Sequence, residues 1–170
     1  MTAYAKCGSD LHLFCGFTPG MQSSDILGHE FMGEAVEFGS ANKKLKIDDR
    51  VVVPFAIGCN KCDQCRRGNF SVRERSNRNK KTGGTVFGHP TADLYGYTHL
   101  TSGYPGEQAG YVRVPYADVG PVVIPNGLTD EQMLFLGDIL PTGWQAAANC
   151  DIEPTDTLAG LRKTATASAC

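Results

Sequence analysis

The chain has 170 residues, 41% of them hydrophobic, which suits a soluble domain with its own core and argues against disorder. Sixteen basic residues face 18 acidic ones; a net charge of −2 supplies no overall field for nucleic acid or anionic lipid. No apolar run is long enough to cross a bilayer, and the start shows no basic region followed by an apolar one, so no membrane partner and no secretory signal are expected. Seven Cys without such a signal predict a cytoplasmic, reducing setting, in which thiols serve as metal ligands, nucleophiles or small buried residues.

Twenty Gly and nine Pro predict a turn-rich, mainly β chain. Residues 31–38 alternate imperfectly between apolar and polar and are bracketed by Gly28 and Gly39, which predicts a strand. Val51 to Phe55 predicts a second strand, entered through a turn at Asp48–Asp49. Residues 58–104 carry little periodicity and are expected to form loops. Tyr111–Val114 and Val122–Ile124 predict further strands, punctuated by Pro115, Pro121 and Pro125. Thr129 and Gln132 have capping-box spacing before Met133, Leu134 and Leu136, predicting a helix over 130–139. Pro141 can open another helix through Ala148. From Leu158 the text turns to Ala, Thr and Ser without a core face, and is expected to be a tail.

Three groups of residues carry chemistry. Cys7-Gly8-Ser9-Asp10-Leu11-His12 and Gly28-His29-Glu30 offer the thiolate and imidazole donors that zinc prefers. Cys59, Cys62 and Cys65, with two residues between each and the next, are read first as a structural-zinc knot. A ferredoxin-type run would need a fourth Cys where Asn69 stands, followed by Pro, so iron–sulfur is disfavoured. From Lys61 to Lys81 there are eight basic and two acidic residues. Beside the Cys cluster this could be a nucleic-acid module, but the neutral net charge favours a solvated loop. Cys15, Cys150, Cys170, His89 and His99 fit no such pattern.

Cys-x-Ser-Asp-x-His followed by Gly-His-Glu-x-x-Gly resembles the zinc-dependent alcohol dehydrogenases of the medium-chain dehydrogenase/reductase family. The likeness continues through Asp49-Arg50-Val51-Val52-Val53-Pro54, the Cys cluster and Gln108-Ala109-Gly110-Tyr111-Val112-Arg113-Val114-Pro115. Asp138-Ile139-Leu140-Pro141-Thr142-Gly143-Trp144 looks most like the formaldehyde dehydrogenase-like branch. The resemblance implies a mainly β fold: a partial GroES-like β-barrel over residues 1–157 with one or two C-terminal helices.

It also implies a zinc-held alcohol or aldehyde substrate that passes hydride to NAD(P). Cys7, His29 and Asp138 would be catalytic-zinc ligands. Glu30 would be either a displaceable fourth ligand or a carboxylate behind the ligands. Asp10 would orient His29, Ser9 and His12 would relay the proton, and Thr142 would lie beside the nicotinamide. An ordinary surface histidine is the other reading of His12.

Several positions depart from the family pattern. The knot's fourth Cys would fall at position 73, where this chain has Arg73, so the knot is expected to be weakened or empty. Asn42 replaces a small apolar residue and Asp48 a Gly. The text lacks the family's opening strands and a Gly-x-Gly-x-x-Gly, reading Leu158-Ala159-Gly160-Leu161-Arg162 where the fingerprint would begin. It therefore predicts an absent Rossmann domain, an atypical tail over 158–170, and an exposed sheet edge that favours a homo-oligomer or pairing with a full-length relative. Its alternative function is a non-catalytic zinc-binding fragment or inactive truncated product.

Overall fold

The computed structural model describes residues 1–75, 77 and 79–159. Strands β1 (Ala3–Ala5), β2 (Glu30–Glu34), β3 (Arg50–Val53) and β6 (Val122–Val123) form an antiparallel sheet in the order β1-β2-β3-β6. The register pairs Ala3 with Met32, Met32 with Val52, and Val52 with Val122. Strands β4 (Ala56–Ile57) and β5 (Asp93–Leu94) make a small second sheet.

The main sheet is apolar on both faces, so strict alternation fails as a guide to it. Phe31, Val51 and Val53 point to one side and pack with Leu45, Ile57 and Tyr95. Met32 and Val52 point to the other and pack with Ile124 and Leu134. Cores of this kind are stabilised by roughly 1.5–3 kcal/mol per fully buried aliphatic or aromatic side chain.

The strand expected over 31–38 is β2, which stops at Glu34. Beyond it the backbone continues only as far as the Ala35 and Asp48–Asp49 turn bonds. Asp48 takes a φ of +69°, the left-handed conformation that Gly adopts most readily and Asp tolerates. The Asn42 amide closes the preceding turn, bonding the Leu45 N–H and C=O at 3.2 and 2.7 Å.

Tyr111–Val114 is not a strand. Its alternation exists, since Val112 and Val114 pack on the core while Tyr111 is exposed, but no neighbouring strand pairs with it among the described residues.

Residues 58–104 are not all loop. They hold α2 (Asp63–Arg66) and α3 (Lys80–Phe87). The two glycines inside α3 give it poor intrinsic propensity, yet Gly83 lets it sit closely on the Leu100 carbonyl. The Asn77 amide ties the approach to the Leu100 carbonyl (2.9 Å) and the Thr91 hydroxyl (3.1 Å). Tertiary contact decides here against local preference.

Two early elements also form: β1, and helix α1 (Gly8–Phe14). The helix expected over 130–139 is interrupted. Its capping box holds, with Thr129 and Gln132 bonding each other's backbone, but α4 covers only Asp130–Met133. A 3₁₀ turn over Leu134–Gly137 follows, and α5 runs over Ile139–Asn149, starting two residues before Pro141. Proline fits this first turn because the N–H it lacks would have no helical partner there. Residues 160–170, most of the expected tail, lie outside the described residues. No helix among the described residues is long and apolar enough to cross a membrane.

Candidate metal centre

Three separate segments bring one donor each to a single point. Cys7 lies at the N-terminus of α1, His29 just before β2, and Asp138 between the 3₁₀ turn and α5. A ligand atom from each of the three lies within 4.8 Å of the other two.

Local structure fixes each position. The Asp10 carboxylate does two jobs on α1. Its Oδ2 accepts the Cys7 N–H at 2.9 Å, tying down the first turn, while its Oδ1 lies 3.4 Å from His29 Nδ1. That contact leaves His29 Nε2 to face Asp138 Oδ2 at 3.3 Å and the Ser9 hydroxyl at 3.5 Å. The Thr142 hydroxyl donates to Asp138 Oδ1 at 2.7 Å. The break at Gly137 is where the chain lies on the sheet: its carbonyl accepts the Phe55 N–H at 3.1 Å. Phe55 and Tyr97 approach the His29 ring edge-on, with centroids at 6.3 and 5.9 Å.

The electrostatics fit a cation. Burial by itself would lower the His29 pKa, but Asp10, Asp138 and Cys7 outweigh it and raise it to about 11. His29 in turn holds the Asp138 carboxyl below its usual value. Asp10 Oδ1 and His29 Nδ1 are buried without another partner. A thiol, an imidazole and a carboxylate around one point, with a second carboxylate behind the imidazole, form a donor set that suits zinc.

Glu30 stands beside this group and does not join it. Its Oε1 accepts the Ile139 N–H at 3.2 Å, and burial, with Asp138 next to it, raises its pKa. His12 lies on the exposed side of α1, with its ring edge-on to Phe17 at 6.1 Å. Thr142 is exposed at the start of α5.

Glu107 carried no motif by which it could be singled out. Its side chain is almost wholly buried against the turn before His29, and burial raises its pKa to about 7. Gly28, at φ +102°, makes room for it: a Cβ there would lie 2.1 Å from Glu107 Oε1. A single carboxylate in a Gly-rich loop has no spacing by which to be found.

Cys59, Cys62 and Cys65 also converge, with one Sγ from each within 4.8 Å of the others. The Cys59 N–H donates to Cys65 Sγ at 3.5 Å. Burial pushes the Cys62 thiol up, but the Cys65 and Glu74 amides and the neighbouring thiols outweigh it and bring it to about 7. These three can hold a metal ion, but they do not complete zinc's tetrahedron. Arg73 is fully buried in an ion pair with the equally buried Asp93, which also accepts the Ser102 hydroxyl. The Arg73 guanidinium lies 5.0 Å from the centre of the Tyr116 ring. Cys150 is exposed, and Cys170 lies outside the described residues.

Known proteins match this chain over most of its length. The alcohol dehydrogenase GroES-like domain family matches residues 1–125. An uncharacterized zinc-type alcohol dehydrogenase-like protein of Bacillus subtilis is 39% identical over 160 residues, 93% of this chain and 40% of that protein. A glutathione-independent formaldehyde dehydrogenase of Pseudomonas aeruginosa is 35% identical over 89% of this chain and 36% of its own length. The structure of an alcohol dehydrogenase from Thermus sp. ATN1 superposes with a TM-score of 0.73 at 34% identity, covering 86% of this chain and 37% of that one. The chain thus spans well under half the length of these relatives. It belongs to the zinc-type alcohol dehydrogenase family and carries that family's GroES-like domain.

Proposed function

We propose that this chain supplies the catalytic metal-binding domain of a zinc-dependent oxidoreductase acting on small alcohols or aldehydes, with Cys7, His29 and Asp138 holding the ion. The observation that carries this reading is the convergence of three donors from three segments, backed by Asp10 on the far side of the imidazole. A zinc ion there would act as a Lewis acid, lowering the pKa of a bound alcohol and favouring loss of hydride to NAD(P).

The chain's own residues divide the remaining work. Asp10 fixes the His29 tautomer, so that Nδ1 carries the proton and Nε2 faces the ion. Thr142 holds Asp138 in place and stands at the exposed edge where a nicotinamide would approach. The Ser9 hydroxyl, near His29 Nε2, would accept the substrate's proton while giving up its own toward His12. His12, three residues along α1, passes it to water from the exposed face. Phe55 and Tyr97 shield the imidazole. Glu30 braces the start of α5 through the Ile139 amide.

Elemental mass spectrometry on the full chain tests the ligand set. Zinc is expected in the parent chain and lost in both His29→Ala and Asp138→Ala, because a site cut to two protein donors falls below the three that catalytic zinc keeps. Zinc retained in His29→Ala overturns the assignment. Nicotinamide absorbance with zinc-loaded chain, NAD or NADP and a short alcohol reads the activity. A signal that Cys7→Ser abolishes supports it, and no signal at high chain concentration overturns turnover by this chain alone.

A further inference from the structure

The Cys59–Cys62–Cys65 trio takes no part in the centre described above, and nothing in that reading explains Arg73. We propose that the trio is an exchangeable three-thiolate site for a soft monovalent cation that accepts trigonal coordination, cuprous copper, and that the Arg73–Asp93 pair supplies the crosslink zinc would otherwise provide.

Ligand number is the first reason. Structural zinc takes four protein donors, and among the described residues no fourth His, Cys, Asp or Glu joins the three sulfurs. Arg73 cannot be displaced to admit one without stranding a charge. Its guanidinium is wholly buried against Asp93 and stacked on Tyr116. Two of the three thiols, Cys59 and Cys65, are 2% exposed, so the site meets solvent on the Cys62 side alone.

Donor softness is the second. An all-sulfur set without imidazole or carboxylate favours soft ions, cuprous copper foremost. Three thiolates around a monovalent ion leave more uncompensated negative charge than they do around zinc. Lys61, Arg66 and Arg67, against Asp63 alone, offset that charge within the same stretch.

Access and support are the third. Cys62 is half-buried and opens the site to solvent. Arg73 follows the 3₁₀ turn at Phe70–Val72, and Asp93 lies on β5, so their pair joins two segments of the 58–104 region. An ion can then enter and leave while that region stays folded.

The test uses the full chain, stripped of metal and kept reduced without oxygen, with Cys7, Cys15, Cys150 and Cys170 each replaced by Ser as the background, so that the trio holds the chain's remaining thiols. Cuprous ion is added in competition with a coloured cuprous chelator. About one copper per chain is expected to be retained, and Cys62→Ser is expected to lose it while, metal-free, melting where the metal-free parent melts. Stripping copper from the parent should leave it folded, with a cooperative melting transition.

Three results would overturn the proposal: zinc in the parent that Cys62→Ser removes and His29→Ala does not, copper retained equally in Cys62→Ser, or no copper retained at all. If Cys62→Ser fails to fold, the thiolate-to-copper ultraviolet absorption of the parent decides, and its absence counts against the site. The copper readouts do not depend on the catalytic centre, so this proposal can fail on them while the zinc ligand set stands.

Discussion

Two clusters of metal-type donors sit on the same fold, and they are supported in opposite ways. At the Cys7, His29 and Asp138 centre, further residues serve the donors: Asp10 behind the imidazole, Thr142 on the carboxylate, and a backbone amide on Asp10 itself. At the Cys59, Cys62 and Cys65 trio, the strongest polar contact nearby bypasses the donors and joins Arg73 to Asp93. The first arrangement leaves a charge pattern that a cation satisfies. The second is already balanced without one. The two donor clusters therefore differ in the layer behind the donors more than in the donors themselves.

The largest expected effect tests the second half of that contrast. Arg73→Met removes the buried guanidinium that faces the buried Asp93 carboxylate, which should cost about 3–5 kcal/mol of stability, as breaking a buried pair does. The double variant Arg73→Met/Asp93→Leu should recover much of that loss, because it removes both charges. Urea unfolding of the three chains measures this. If the single variant is neutral, the pair is no crosslink and the contrast fails.

A smaller effect tests the first half. Asp10→Asn keeps the size of the side chain and weakens its hold on His29 Nδ1. Zinc affinity should fall about 10- to 100-fold, the usual cost of losing a partner behind a metal-binding histidine. Competition with a zinc indicator reads it. Unchanged affinity would mean that the imidazole is oriented by Phe55 and Tyr97 instead.

The difference between the clusters also explains what could be read from the sequence. Cys7 and His29 were visible as zinc-type donors in short motifs, but their ligand role and the orienting role of Asp10 came from the family likeness. Asp138 could be placed only through the family likeness, since a lone carboxylate carries no spacing of its own. Arg73 was visible as a departure, but its compensation by Asp93 was not. An ion pair between distant segments obeys no periodicity, and neither does Glu107 beneath Gly28. The main sheet was found in outline because Val51–Val53 is β-branched and buried on both faces. Tyr111–Val114 was misread for the converse reason: alternation reports which side chains are buried, and says nothing of whether a partner strand is there to pair with. Helix α3 was missed because packing on Leu100 overrides its glycines.

The smallest expected effect concerns a third charged pair, which calibrates the other two. Arg50 on β3 reaches Asp130 at the start of α4 and also donates to the Leu128 carbonyl at 3.1 Å. Both partners are partly exposed, with side chains 30% and 22% accessible, so solvent screens them. The Thr2 hydroxyl, and with it Arg50, holds the Asp130 carboxyl below its ordinary 3.8. A depressed carboxyl contributes stability that is fully present above that ordinary value and is lost as pH falls through the lower folded one. Asp130→Asn should therefore cost no more than about 1 kcal/mol at pH 7. That difference should shrink once the pH drops below the ordinary carboxyl value, and it should also shrink in high salt. Urea unfolding of parent and variant at neutral and acid pH checks both. A loss here as large as that of Arg73→Met would show that burial is not what sets the two pairs apart. The buried pair could then no longer be credited with replacing a metal.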